Sequence, residues 1–396
     1  MVRVLDEEPL ALITSPSLAE IRKALRQHGS DALVYLLPGN ARYDGTVVVV
    51  PADAEPYAIP MRRLEVGEDS LVARYQKAYE AWHEAESRTG PEFLRWREEL
   101  REICAWAWEA AGTELKAIAE KIVLVPVGAL GMIPWHAAGQ DGSHLVQDVT
   151  ISYTPSARMF CDVVARDEVT AGTAVIVGNP ARDLLAGATE ALGIRASFYP
   201  GGLFLGSHTA MPRRWQPAQD GAGTADDVVR LLAEPLPLLH LAGHAVADMR
   251  EPLRSQVNLA SGPLSARTLL DISPIDVLPL GLVNLACCTT NVSGVDYDEA
   301  LSLATTFLAI GARTVVGALW WVLSGRATAH LMYMFYHRLN EGLPAAEALR
   351  QTQLWMLDLG RVLPDTMPEE LRRMVPADGF SEEQIECWAG FTPLVR

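Results

Sequence analysis

Apolar positions along this 396-residue chain change their period twice, and each change marks a different kind of element. Residues 32–60 read as β-structure. Ala32-Leu-Val-Tyr-Leu-Leu37, Gly45-Thr-Val-Val-Val-Val-Pro51 and Tyr57-Ala-Ile-Pro60 are strand-length apolar runs with turn residues between them. From 68 to 118 the apolar residues fall three and four apart, at Leu71, Tyr75, Tyr79 and Trp82, then at Phe93, Trp96, Leu100, Ile103 and Trp106. That spacing predicts two long helices, and Thr89-Gly-Pro91 between them predicts a hairpin. Trp82, Trp96, Trp106 and Trp108 then belong to packed faces rather than to a recognition surface.

Strand-like runs return at Lys121–Pro126 and Ile151–Pro155, and from about 172 strands alternate with helices. Thr173-Ala-Val-Ile-Val-Gly178 is a strand that stops at the turn Asn179-Pro180, and Asp226–Leu232 is helical. Leu236–Leu241 and Leu282–Ala286 are apolar without alternation, as in strands buried on both faces. Ala300–Ile310 reads as a helix, Arg313–Leu319 as a strand, and Thr328–Leu339 and Pro344–Leu357 as helices. This order predicts an α/β fold with a mostly parallel sheet covered on both faces. Residues 199–223, rich in Gly, Pro and polar residues, read as a long surface loop.

Composition narrows the function classes. A hydrophobic content of 49% with 21% charged residues is ordinary for a globular protein, and the length suggests two or three domains. The formal net charge of −16, with no basic run, argues against nucleic-acid binding, which needs clustered Lys and Arg. No apolar stretch reaches the roughly 18 residues that span a bilayer, and the first residues lack a signal-peptide pattern. Five cysteines, two of them adjacent, make no disulfide framework, so the expected compartment is a reducing cytoplasm. Phosphate-binding glycine loops and the Gly-x-Ser-x-Gly elbow are both missing from the sequence.

The chemistry concentrates at two strand ends. His244 closes the run Leu236-Pro-Leu-Leu-His-Leu-Ala-Gly-His244, and Cys287 closes Leu280-Gly-Leu-Val-Asn-Leu-Ala-Cys287. In parallel sheets, reactive groups gather at the C-terminal strand edge. A cysteine and a histidine meeting there supply a thiolate and its proton carrier. Adjacent strand residues point to opposite faces, so only one of Cys287 and Cys288 can meet the histidine. The Ala-Cys step favours Cys287. His240 lies inside its apolar run and reads as a buried, hydrogen-bonded side chain. A metal site on His240 and His244 would need a helix that this segment does not favour, so no metal or other cofactor is expected. Asp248 is near in sequence but reads as a solvated loop carboxylate.

Taken in order, His240-Leu-Ala-Gly-His-Ala245, Asn284-Leu-Ala-Cys-Cys-Thr289 and Glu299–Trp320 resemble the CHAT domain, a bacterial branch of the caspase–separase superfamily of cysteine peptidases. Supporting matches are Val123–Leu130, Ile133-Pro-Trp-His-Ala137, Tyr153–Ala157, Val177-Gly-Asn-Pro180, Gly342–Gln351 and Trp388-Ala-Gly-Phe391. The resemblance is good over 120–396 and loose over 20–120. It implies a caspase-like peptidase domain, placed at 166–396. A degenerate caspase-like half, placed at 1–165 with the helical hairpin at about 68–118, precedes it.

The same resemblance assigns His244 and Cys287 as the catalytic pair, with the backbone N–H groups of Cys287 and of Ala245 or its neighbour meeting the oxyanion. Family members commonly carry Gly where this chain has Ala245, and a loop needing positive φ would resist alanine. It further implies cleavage of protein or peptide substrates under the control of a partner protein or sensor domain, often in bacterial defence. The sequence shows no repeat or sensor domain, which is also compatible with a fragment of a longer protein. The rival expectation is a non-catalytic signalling module on the same fold. Asp296, Asp298 and Glu299 either shape a pocket for a basic P1 side chain or supply favourable charge to a helix N-terminus. Trp320 either walls a substrate cleft or packs under the following helix.

Overall fold

Strands with two apolar faces must lie inside a sheet, and this chain builds one large sheet from such strands. The structure, a computed structural model, describes residues 15–40, 42–85, 89–140, 142–207, 220–273, 277–292, 301–322, 325–374 and 384–395. In chain order the first strands are β1 (Ala32–Leu37), β2 (Gly45–Pro51), β3 (Tyr57–Met61), β4 (Lys121–Pro126), the short pair β5 (Gly139–Gln140) and β6 (Ser143–His144), and β7 (Thr150–Tyr153). They are followed by β8 (Val175–Gly178), β9 (Leu203–Gly206), β10 (Leu236–Ala242), β11 (His244–Val246), β12 (Gln256–Leu259) and β13 (Gly262–Ser265). The last three are β14 (Leu280–Ala286), β15 (Ala312–Ala318) and β16 (Phe391–Val395).

Eleven of these strands form the central sheet, in the order β3-β2-β1-β4-β7-β16-β15-β14-β10-β8-β9. β1, β4, β7 and β16 are parallel to one another, and so are β15, β14, β10, β8 and β9. The two sets run in opposite directions and meet where β16 pairs antiparallel with β15. The result is a mixed α/β fold whose large, mostly parallel sheet is flanked by helices. β11, β12 and β13 form a separate antiparallel sheet.

The core strands match their sequence pattern closely. β14 and β10 pair from Leu236↔Leu280 to Ala242↔Ala286. Gly281 is required in that pairing, because a Cβ there would sit 2.3 Å from the Pro237 carbonyl oxygen. The predicted hairpin is present as helices Leu71–Glu84 and Pro91–Ala107. Trp82 and Trp96 stack across it with centroids 4.2 Å apart.

The stretch 199–223 corrects the sequence reading, since it contributes β9 to the sheet edge. Leu203-Phe-Leu205 is too short to show a period, yet Phe204 is fully buried. Gly206, at φ +115, lets the strand close on Gly178, where a Cβ would lie 2.1 Å from the Gly178 oxygen. Residues 208–219 lie outside the described residues.

Three of the motifs quoted above converge on the seam beside β16. His136 holds the Tyr153 hydroxyl at 2.9 Å on Nδ1 and the Ala389 carbonyl at 3.1 Å on Nε2. The Trp388 ring stands edge-on to His136 and His144. Burial pushes the His136 pKa down to about 4, so the ring is neutral there. These residues are structural: they fasten β16 at the junction where the two sets of strands meet.

Candidate active site

Three parallel strands end level with one another. Gly178 of β8 pairs with Ala242 of β10, and Ala242 pairs with Ala286 of β14. The next residues of each strand are therefore neighbours, namely Asn179–Leu184, Gly243-His244 and Cys287–Thr290. The sheet thus brings His244 and the two cysteines to adjacent strand ends, where the open edge of a parallel sheet gathers ligands.

His244 is the first residue of β11, and its side chain is 41% exposed. Its Nε2 lies 3.2 Å from Oδ1 of Asp183. Asp183 was not foreseen from the sequence. The strand before it was legible, but not that this strand lies beside the one leading to His244. Asp248 is occupied elsewhere, its Oδ1 accepting from the N–H groups of Arg250 and Glu251. Ala245 sits in the extended strand β11 opposite Val257, so alanine is accommodated there without left-handed backbone.

The two cysteines occupy different environments. Cys287 is 1% exposed and its thiol donates to the Leu241 carbonyl oxygen at 3.2 Å. Burial pushes its pKa well up, Cys288 and Glu190 add to the rise, and the Gly243 N–H opposes it. In this state the Cys287 thiol is protonated. Cys288 is half-buried, with its sulfur 3.8 Å from the Val322 carbonyl oxygen.

The turn after the cysteines is held from several sides. Thr289 has φ +53, an outlying conformation for a β-branched residue. Its N–H donates to the Trp320 carbonyl, and its hydroxyl accepts the Ala247 N–H at 3.2 Å. The Thr290 hydroxyl accepts the Ala318 N–H at 2.8 Å. Asn179 and Arg182, at φ +48 and +68, lie in the loop that carries Asp183. Three of the four non-glycine residues with positive φ among the described residues thus border this site. Such strain collects where geometry is over-determined by function. Thr289→Ala should orphan the buried Ala247 N–H and cost about 1–3 kcal/mol. The check is a lower denaturant midpoint at unchanged slope, and an unaltered midpoint would refute the account.

His240, by contrast, is fully buried below the site. Its Nδ1 meets the Tyr336 hydroxyl at 3.1 Å, and Asn284 donates to that hydroxyl at 3.2 Å. Its Nε2 faces Oε1 of Glu190 at 3.2 Å, without the alignment of a hydrogen bond. Trp320 is also fully buried. Its indole N–H donates to the Glu386 carbonyl at 3.1 Å and its ring meets Trp96 edge-on. Trp320 is therefore a packing residue rather than a cleft wall, because no face of it is left for a substrate. Asp296, Asp298 and Glu299 lie outside the described residues.

The fold is similar to that of separase. Two crystal structures of the Saccharomyces cerevisiae separase–securin complex resemble it. One has a TM-score of 0.57 at 7% identity, covering 95% of this chain and 30% of that chain. The other has 0.50 at 10% identity, covering 95% and 31%. This chain thus spans about a third of the length of those proteins. The family model of the CHAT domain matches residues 97–395, and the chain belongs to that family. No curated protein sequence matches it. Among the described residues no helix is long and apolar enough to cross a membrane.

Proposed function

We propose that this protein is a cysteine endopeptidase of the CHAT family, with His244 and Cys287 as its catalytic pair. The observation that carries this reading is the register Ala242↔Ala286, which sets the histidine and the cysteines on neighbouring strand ends. His244 takes the thiol proton, and the thiolate attacks the scissile carbonyl. The backbone N–H groups of Cys287 and Ala245 meet the oxyanion. His244 then gives its proton to the leaving amine, and a water activated by the same ring hydrolyses the thioester.

Burial of Cys287 supports a gated enzyme. A thiol with a raised pKa, closed off from solvent, is a poor nucleophile until the strand end opens. A protein partner or sensor domain is the proposed trigger, in the cytoplasm and in a bacterial defence or regulatory pathway. We further take residues 1–165 as the non-catalytic half and 166–396 as the peptidase half. A second reading makes Cys288 the nucleophile, favoured by its greater exposure.

Matched fluorogenic peptides with Arg, Leu or Asp at P1 test the function. A site selecting aspartate needs buried arginines to pair the carboxylate. The first arginines after the Cys287 strand are Arg313 and Arg326. Arg313 lies near the start of β15, at the end of the sheet away from His244, and Arg326 opens helix Arg326–Asn340. Arg or Leu at P1 should therefore be cleaved and Asp least, slowly in the resting protein. Preference for Asp would overturn the specificity. Failure to cleave any peptide, with or without limited proteolysis to open the site, would favour a non-catalytic signalling module.

A further inference from the structure

We infer that Asp183 is a positioning residue that orients His244 for proton transfer. This inference rests on the peptidase reading above. The Asp183 carboxylate stands 3.2 Å from Nε2 of His244. A carboxylate accepts only, so facing it favours the His244 tautomer that carries its proton on Nε2. The unprotonated nitrogen is then Nδ1, the ring atom left to take the thiol proton. When it does so, the ring becomes imidazolium, and Asp183 faces the resulting positive charge. The proton lost by the thiol is the one gained by Nδ1, and nothing else is consumed.

The backbone around Asp183 is constructed for this placement. The Asn179 N–H donates to the carbonyl of Ala242, two residues before His244, at 2.9 Å. The Asn179 side chain accepts the Leu184 N–H at 2.7 Å, and the Arg182 N–H returns to the Asn179 carbonyl at 3.1 Å. Asn179 and Arg182 both hold left-handed conformations, which asparagine adopts readily and arginine disfavours. The loop is therefore folded back onto the strand that delivers His244, with Asp183 at its far side.

Stability does not explain the arrangement. The two side chains are 41% and 61% exposed, and exposed pairs contribute little to folding. Asp248 is committed to a turn, and Glu190 faces His240.

The test compares wild type with Asp183→Ala, Asp183→Asn and His244→Ala. One readout is kcat and KM on the best-cleaved peptide of the P1 series. The other is the rate at which iodoacetamide alkylates Cys287 and Cys288, resolved by mass spectrometry, which needs no turnover. Asp183→Ala should lower kcat by about ten- to a hundredfold, a fraction of the roughly 10²–10⁴-fold that general acid–base help supplies. KM should stay within about twofold, since the residue positions the base and does not bind substrate. Alkylation of the nucleophile should slow in parallel. Asp183→Asn keeps an acceptor for Nε2–H and should fall between wild type and Asp183→Ala. If His244→Ala is impaired and both Asp183 variants match wild type, the positioning role is wrong and the dyad stands. If His244→Ala itself matches wild type in both readouts, the dyad and the inference fall together.

Discussion

Cys287→Ala should lose peptide hydrolysis by about 10⁶-fold, the scale seen when a covalent nucleophile is removed, whereas Cys288→Ala should keep most of its activity. The substitution deletes one sulfur, whose contacts are with the backbone of the neighbouring strand end, at the Leu241 carbonyl and the Gly243 N–H. The fold should therefore survive, and circular dichroism with a thermal melt checks that it does. His244→Ala should lose at least the roughly 10²–10⁴-fold that general acid–base help supplies, and the double variant should be no worse than Cys287→Ala, because groups that act as a unit do not add. Labelling adds a second axis. In the resting protein iodoacetamide should reach half-buried Cys288 before Cys287, whose thiol is buried and held protonated. In the opened, active protein that order should reverse. An inactive Cys288→Ala beside an active Cys287→Ala would move the nucleophile by one residue.

Much of this site was legible because it sits where the sequence pattern is simplest. β10 and β14 are runs without alternation, and such runs end where a parallel sheet presents its chemistry. The two predicted helices are real because one face of each is apolar and buried, from Val72 to Trp82 and from Phe93 to Ala107. The hidden parts lacked a period. Helix Leu185–Phe198 is buried continuously from Gly187 to Ile194, so it shows no polar face to set its register. β9 and β16 are short and buried, and short apolar runs do not distinguish strand from connector.

Strand order was the larger obstacle. That β8 lies beside β10 follows from how the helices cross the sheet, which no local signal records. Asp183 was therefore out of reach, although it follows a recognisable strand by only five residues. Trp320 stayed open between two readings for a different reason. A strand-end aromatic is compatible with a cleft wall or with a core, and the choice depends on the hairpin. Trp96 of that hairpin packs edge-on against the Trp320 ring.

His240→Ala should destabilise the fold by about 3–5 kcal/mol, against a total of roughly 5–15 kcal/mol for a typical domain. The ring has no exposed surface, and its removal leaves the Glu190 carboxyl buried opposite a hole. Glu190 comes from helix Leu185–Phe198, Tyr336 from helix Arg326–Asn340, and Asn284 from β14, so the loss is felt on three elements. The sign of the pH dependence follows from Glu190. Burial pushes its pKa above the ordinary value of 4.5, while His240 pulls it down. A carboxyl whose pKa is raised by folding holds its proton more tightly when folded. It therefore lowers stability as pH rises from its unfolded value through the raised one. Without His240 that window extends further upward. The gap in stability between His240→Ala and His240→Ala/Glu190→Gln should thus be small near pH 4.5 and widen toward neutrality, with the glutamine variant the more stable. Urea titrations at several pH values measure it. A gap that stays constant with pH would mean that Glu190 finds another partner when His240 is gone.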